Sequence, residues 1–206
     1  MICLSLEDWR RLWGKSDPDI VGIYDDLVAR YGEPWRYYHT LEHVADCLAE
    51  FKSVQDLVSH PRDVELALWF HDVVYDPRRG DNVERSAEYA VNALGRFLDE
   101  GSMLRVRELI LATRHDGVVS GLDMGLVVDV DLAILGKPPD VFQRYEEAIR
   151  KEYSWVPWRD FCAGRASILK GFLGREHIYN TDVFRTRYEK QARRNLNHAI
   201  ERLEMK

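Results

Sequence analysis

The sequence predicts an all-α fold, and three observations support this prediction. Apolar residues recur at helical spacing through most of the chain, capping residues and prolines stand where these segments begin, and glycines follow where several end. The 206 residues can bury a substantial core. We therefore expect residues 1–206 to form a single domain of about eight to ten helices.

Start signals place the helices in order. Ser5 precedes two acidic residues, as a capping residue does, and the prolines pre-set the first helical turn. The predicted helix starts are near Ser5, at Pro18, near His39, at Pro61, at Asn82, near Gly101, at Leu126, near Pro139, at Pro157 and at Thr181. Residues 76–82 and 116–125 are rich in turn formers and are predicted loops. The short apolar run 126–135 also suits a strand, but helical neighbours favour a buried helix.

Composition excludes several classes of protein. The net charge of −6 argues against binding a nucleic-acid polymer through its phosphates. Charged residues interrupt the apolar runs well before the roughly 18 residues that a membrane span requires, and the N-terminus lacks the pattern of a secretory signal. Three widely spaced cysteines, Cys3, Cys47 and Cys162, do not suggest a disulfide framework. We expect a cytoplasmic protein.

Three motifs carry potential metal ligands. They are Tyr38-His39-Thr40-Leu41-Glu42-His43, the doublet His71-Asp72 on an apolar run, and Asp131 among valines and leucines. Imidazole and carboxylate groups together suit a catalytic divalent ion. Burying an unpaired carboxylate at Asp131 would be costly, and a cation would neutralise it.

The order His43, His71-Asp72, Asp131 resembles the HD superfamily of metal-dependent phosphohydrolases. The flanks, including Trp69-Phe70-His71-Asp72-Val73-Val74-Tyr75-Asp76 and Asp129-Val130-Asp131-Leu132, resemble a bacterial subfamily of predicted HD-type phosphohydrolases over most of the chain. The resemblance implies an all-helical fold and one divalent ion, held by His43, His71, Asp72 and Asp131. Mn, Fe, Zn, Ni and Mg all suit such a set. The resemblance also implies hydrolysis of a phosphate ester of a nucleotide or another small phosphorylated metabolite.

Two placements have alternatives. Either His39 or His43 can be the first ligand, since residues four apart share a helix face. A similarity to the cyclic-nucleotide phosphodiesterase pattern favours His43 as ligand and His39 as the acid that protonates the leaving group. Asp129 and Asp131 point about 200° apart on a helix, so one of them faces the site. Asp131 is preferred because its Asp-Leu pair matches the family's last element.

Further residues complete the predicted site. His39, Asp72 and Glu84 form the catalytic set, with Glu84 orienting water or a ligand histidine. The predicted substrate contacts are Arg36, Arg78, Arg79, His115 and Lys151, because guanidinium and ammonium groups bind phosphate. These residues also have ordinary explanations. The arginines and the lysine can be solvated surface cations, and His115 can be a histidine at a helix end. Glu84 can be an acid that stabilises a helix start.

Two other functions compete with hydrolysis of phosphate esters. His39-Thr40-Leu41-Glu42-His43 fits the inverted zinc-peptidase pattern, in which Glu42 is the general base and both histidines bind zinc. That interpretation gives His71-Asp72 no role. A non-catalytic regulatory module that retains the metal site is the third possibility.

Overall fold

The computed structural model describes residues 4–14, 17–117 and 119–205, and every regular element in these ranges is helical. Cys3 lies outside them. The α-helices are α1 Leu6–Arg11, α2 Pro18–Tyr31, α3 Leu41–Lys52, α4 Pro61–Phe70, α5 Asn82–Leu94, α6 Glu100–Ala112, α7 Leu122–Asp131, α8 Pro139–Glu152, α9 Trp158–Leu173, α10 Asp182–Phe184 and α11 Lys190–Glu204. Short 3₁₀ turns occupy Gln55–Leu57 and Leu132–Gly136, and a π-helical turn, Arg185–Glu189, joins α10 to α11. The predicted all-α class is confirmed.

Helix ends follow the local chemistry of the sequence. Ser5 and Asp8 form a reciprocal capping box at α1, and Pro18 stands in the first turn of α2, whose C-terminal capping residue is Gly32. In the described part of the chain, no helix is both long enough and apolar enough to cross a membrane.

Some predicted boundaries were wrong. The third helix was predicted to begin near His39, but Thr40 caps the amide of Glu42 and α3 begins at Leu41. The run 126–135 was predicted as one helix; instead α7 begins at Leu122 and ends at Asp131, and a 3₁₀ turn follows. Both differences arise because hydrogen bonds at helix ends, rather than apolar spacing, decide where a helix begins and ends.

The chain separates into two compact units, Met1–Val127 and Val128–Lys206. In the first unit, α4 is buried on almost every side, with Leu66, Ala67, Leu68, Trp69 and Phe70 inaccessible to solvent. Trp9 packs edge-on against Trp69, and its indole nitrogen donates to the Ile20 carbonyl at 2.7 Å. A helix surrounded by apolar neighbours is held rigidly, so residues at its C-terminal end have defined positions.

In the second unit, the 3₁₀ turn after α7 lies against the C-terminal helical run. A Cβ atom added to Gly136 would lie 2.4 Å from the Tyr188 Cβ and 2.9 Å from its Cα, so only glycine allows this approach. The Asn195 side-chain amide donates to the carbonyls of Leu135 and Lys137, both at 2.8 Å. These contacts satisfy carbonyl groups that the end of the turn leaves unpaired. The predicted union of both units in a single domain stays a prediction.

Candidate metal centre

Two helices of the first unit supply the predicted nitrogen ligands. His43 lies in the first turns of α3 and is buried. His71 is the C-terminal capping residue of α4, also buried, and Asp72 follows it. The Asp72 side chain keeps 16% of its exposure, so the cluster has access to solvent beside this carboxylate.

The side-chain donors of these residues converge. The His43 Nε2 and His71 Nε2 atoms are 3.0 Å apart, and Asp72 Oδ2 lies 3.1 Å from His71 Nε2 and 3.7 Å from His43 Nε2. A point equidistant from the three atoms lies about 1.9 Å from each, so an ion slightly outside their plane meets all three at about 2.0–2.2 Å, the range of nitrogen and carboxylate ligands. The three groups therefore fit one divalent ion.

A backbone contact sets the orientation of His71. Its Nδ1 lies 2.9 Å from the Leu68 carbonyl oxygen, which can only accept, so Nδ1 carries the proton. In the neutral ring the Nε2 lone pair then faces His43 and Asp72. This is the usual arrangement of a metal-binding histidine, whose second nitrogen donates to a backbone carbonyl or a carboxylate. An ion or a proton has to lie between Nε2 and the carboxylate, because two lone pairs at 3.1 Å repel each other.

The segment after α4 is held by Arg36, whose side chain is fully buried. Its guanidinium donates to the carbonyls of His39 at 3.0 Å, Asp72 at 2.6 Å and Val73 at 3.0 Å, and to the Glu33 carboxylate at 2.9 Å. Arg36 was predicted to contact phosphate, but these four bonds occupy it and give it a positioning role instead. It connects the backbone of His39 to that of Asp72, the predicted ligand.

Tyr31 supports the same end of α4. Its hydroxyl donates to the Trp69 carbonyl at 2.9 Å. Burial raises the pKa of Tyr31 well above its ordinary value, and the nearby Asp72 carboxylate adds to this shift. The hydroxyl therefore stays protonated and keeps its bond to α4.

His39 lies beside the cluster but outside helix α3. Its ring stacks on Tyr75 at a centroid distance of 4.0 Å and lies 6.2 Å from the His43 ring centroid. The prediction that His39 and His43 share a helix face was therefore wrong, because Thr40 starts the helix between them. The peptidase interpretation, which also requires both histidines on one helix, loses its geometric basis, and Glu42 is exposed.

The structure also brings Cys47 to the cluster, which sequence reasoning did not include. One donor atom from each of His43, Cys47 and His71 lies within 4.8 Å of the other two. The cysteine is buried one helical turn after His43 on α3. The i, i+4 spacing of His43 and Cys47 was the available signal, since such residues meet on one face.

Glu84 and His115 lie at neighbouring helix ends. Glu84 is in the first turn of α5 and pairs with Arg114, the residue before His115. Its second oxygen, Oε2, is buried and has no hydrogen-bond partner within the described ranges. His115 has a φ of 61°, in the left-handed region that histidine tolerates better than most residues. Their predicted roles with water and substrate stay predictions.

The remaining predicted phosphate contacts are exposed. Arg78 and Arg79 lie in the loop before α5, where Arg79 makes two bonds to the Asp81 carboxylate at 2.7 and 2.6 Å. Lys151 lies on α8 in the second unit and is exposed. The structure gives Arg79 an ordinary surface ion pair, and the phosphate contacts of Arg78, Arg79 and Lys151 stay predictions.

Asp129 and Asp131 have different environments on α7. Asp129 is completely buried and accepts four hydrogen bonds in the second unit: from the Asn180 amide and side chain at 2.6 and 2.9 Å, and from the Thr181 amide and hydroxyl at 2.7 and 2.6 Å. Burial raises its pKa, although these bonds oppose the shift. Asp129 therefore anchors the start of α10. Asp131, the last residue of α7, is partly exposed and remains the predicted fourth ligand.

Comparisons of the chain with known protein families, with curated protein sequences and with solved structures found no match. The functional interpretation therefore depends on the geometry of the site and on the motifs themselves.

Proposed function

We propose that this protein is a metal-dependent phosphohydrolase that acts on a nucleotide or another small phosphorylated metabolite. The observation that carries the proposal is the convergence of His43 Nε2, His71 Nε2 and Asp72 Oδ2 within 3.0–3.7 Å. These residues occur in the order that characterises HD-type phosphohydrolases, with Asp131 as the expected fourth ligand.

The donor set fits a catalytic ion. Two imidazoles and a carboxylate leave coordination positions for water and substrate, as catalytic sites require. When bound there, a divalent ion supplies Lewis acidity that lowers the pKa of a coordinated water and polarises a phosphoryl oxygen. Asp72, the most accessible of the three groups, lies where substrate can approach.

We assign the proton of the leaving group to His39. Tyr75 stacks on its ring, and the Tyr38 ring lies against both His39 and His43, with centroid distances of 5.0 and 4.6 Å. These contacts hold His39 beside the ligands without making it one of them. A positioned histidine of this kind protonates a leaving oxygen in general acid catalysis.

Positive charge must be local, because the whole chain carries a net charge of −6. We assign the phosphate contacts to Arg78, His115 and Lys151, in agreement with the sequence. Arg79 would have to exchange its bond to Asp81 for one to phosphate. Such cations stabilise the charge that develops on the phosphoryl oxygens in the transition state.

The test is a hydrolysis screen with metal-depleted protein, supplemented in turn with Mn, Fe, Zn, Ni and Mg. The substrates are nucleoside mono-, di- and triphosphates, cyclic nucleotides and sugar phosphates. We expect at least one substrate to be hydrolysed with metal, and activity to disappear in Asp72→Ala. The control Asp25→Asn changes an exposed carboxylate on α2 and should retain activity.

Two outcomes would favour the other functions. Metal binding without turnover of any phosphate ester would support the regulatory module. Peptide hydrolysis that is lost in Glu42→Gln, and that survives Asp72→Ala, would support the zinc peptidase.

A further inference from the structure

Cys47 lies in the metal centre although no feature of the proposed hydrolysis requires it. Its Sγ atom is 3.7 Å from His43 Nε2 and 3.8 Å from His43 Nδ1. Zinc binds thiolate at about 2.3 Å and imidazole at about 2.0–2.1 Å, so tetrahedral ligands of these two kinds lie about 3.6 Å apart. Because Sγ is nearly equidistant from the two ring nitrogens, it lies against the imidazole ring rather than along the Nε2 lone pair, so binding one ion together with Nε2 requires a rotation of the Cys47 or His43 side chain.

The position of Cys47 on α3 makes such a rotation sufficient. Residues four apart in a helix project from one face, so His43 and Cys47 can reach the same ion without a change of backbone. His71 comes from the end of a different helix, α4, so its ring approaches the ion from another side than His43 and Cys47 do. The three donor atoms lie within 4.8 Å of one another, and all three residues are buried.

We propose that Cys47 is a ligand of this metal centre and makes it select thiophilic ions such as zinc or ferrous iron over magnesium. The inference rests on the proposed metal site and deepens it by naming the class of ion. Thiolate ligands favour zinc and iron, whereas magnesium prefers oxygen ligands. A site of imidazole and carboxylate alone would not discriminate in this way.

A cysteine at this position has one other explanation. Buried cysteine often acts as a small apolar residue that fills space in a core. In that case removing the sulfur changes packing, but it leaves both the metal spectrum and the metal preference unchanged. These two properties therefore separate a ligand from a packing residue.

The test uses cobalt(II) as a spectroscopic substitute for zinc in the full-length, reduced, metal-depleted protein. A thiolate bound to cobalt gives a charge-transfer absorption in the near ultraviolet. We expect this band in the natural protein and in the double variant Cys3→Ala, Cys162→Ala, which retains Cys47 as its remaining thiol. The band should be absent in Cys47→Ala and in Cys47→Ser.

Metal affinity provides the second readout. Loss of a residue that merely supports a ligand typically weakens metal affinity about 10–100-fold. We expect Cys47→Ala to lose about 100-fold or more in zinc affinity and to change little in magnesium affinity. Far-ultraviolet circular dichroism of each variant establishes that it is folded, and Cys47→Ser retains nearly the natural side-chain volume.

The outcomes are distinct. Cobalt binding to the natural protein without a charge-transfer band, or a band that survives in Cys47→Ala, would overturn the role of Cys47 and leave the proposed hydrolase intact. Failure of the natural protein to bind cobalt, zinc or magnesium would overturn the metal site, and with it both proposals.

Discussion

Replacing Arg36 with methionine should destabilise the protein by about 3–5 kcal/mol, because a buried network would lose its donor. The guanidinium donates to three backbone carbonyls and one carboxylate, and its side chain is fully buried. Each buried acceptor left without a donor costs about 1–3 kcal/mol. Release from the cost of burying a charge offsets part of that sum.

Lost ring contacts add to the destabilisation. The Arg36 guanidinium carbon lies 5.1 Å from the Tyr31 ring centroid and 5.5 Å from that of Tyr75, and each cation–π contact contributes about 0.5–1 kcal/mol. We expect the melting temperature to fall by about 10 °C. Because Arg36 also holds the carbonyl of Asp72, metal affinity should weaken about 10–100-fold.

Thermal denaturation followed by circular dichroism measures the first effect, and metal titration measures the second. Arg79→Met is the matched control, because Arg79 makes an exposed ion pair and its loss should leave the melting temperature unchanged. Arg36→Met with natural stability, natural metal affinity and a raised KM for a phosphorylated substrate would refute this reasoning. That result would restore Arg36 as the phosphate contact that the sequence predicted.

Three further predictions separate roles in and around the site. His39→Ala should keep the metal and lose about 10²–10⁴-fold in hydrolysis rate, with a smaller loss for a nitrophenyl ester, whose leaving oxygen hardly needs a proton; loss of the metal would make His39 a ligand. Asp129→Asn should lower the free energy of unfolding by about 3 kcal/mol without changing metal content, whereas Asp131→Asn should lose metal. Elemental analysis that finds metal lost in Asp129→Asn and kept in Asp131→Asn would exchange their roles. Burial and a hydrogen bond to Asp26 raise the pKa of Tyr89 to about 12. This shift stabilises the fold fully below about pH 10, and the contribution is lost as the pH rises through about 12. In a spectrophotometric titration, the Tyr89→Phe variant should accordingly lack one tyrosine that ionises near pH 12. Loss of a tyrosine that ionises near pH 10 would contradict the assignment.

The fold class was predictable because the apolar periodicity of the helices is a property of each segment alone. Ser5, Pro18 and Gly32 gave correct helix ends, since capping depends on neighbouring residues. His39 was wrongly predicted to lie on α3, because Thr40 is a weaker start signal and several other polar residues lie nearby. The extent of α7 was missed because its apolar run has no marked polar face.

The site was predictable to a different degree. His43, His71 and Asp72 followed from a motif, and the structure brings their donor atoms together. The position of Cys47 and the buried role of Arg36 depend on contacts between separate segments, which spacing within one segment does not reveal. Asp129 illustrates the same limit: its four donors lie about fifty residues later in the chain, so the sequence around it did not reveal them.

Metal content tests the central claim most directly. The measurement is equilibrium dialysis of the metal-depleted protein against zinc and manganese, followed by elemental analysis, for the natural chain and for the single variants His43→Ala, His71→Ala and Asp72→Ala. We expect about one ion per natural chain and at least about 10–100-fold weaker binding in each variant. A natural protein that binds neither ion, or three variants that bind it as tightly as the natural chain does, would contradict the assignment of these residues as a metal centre.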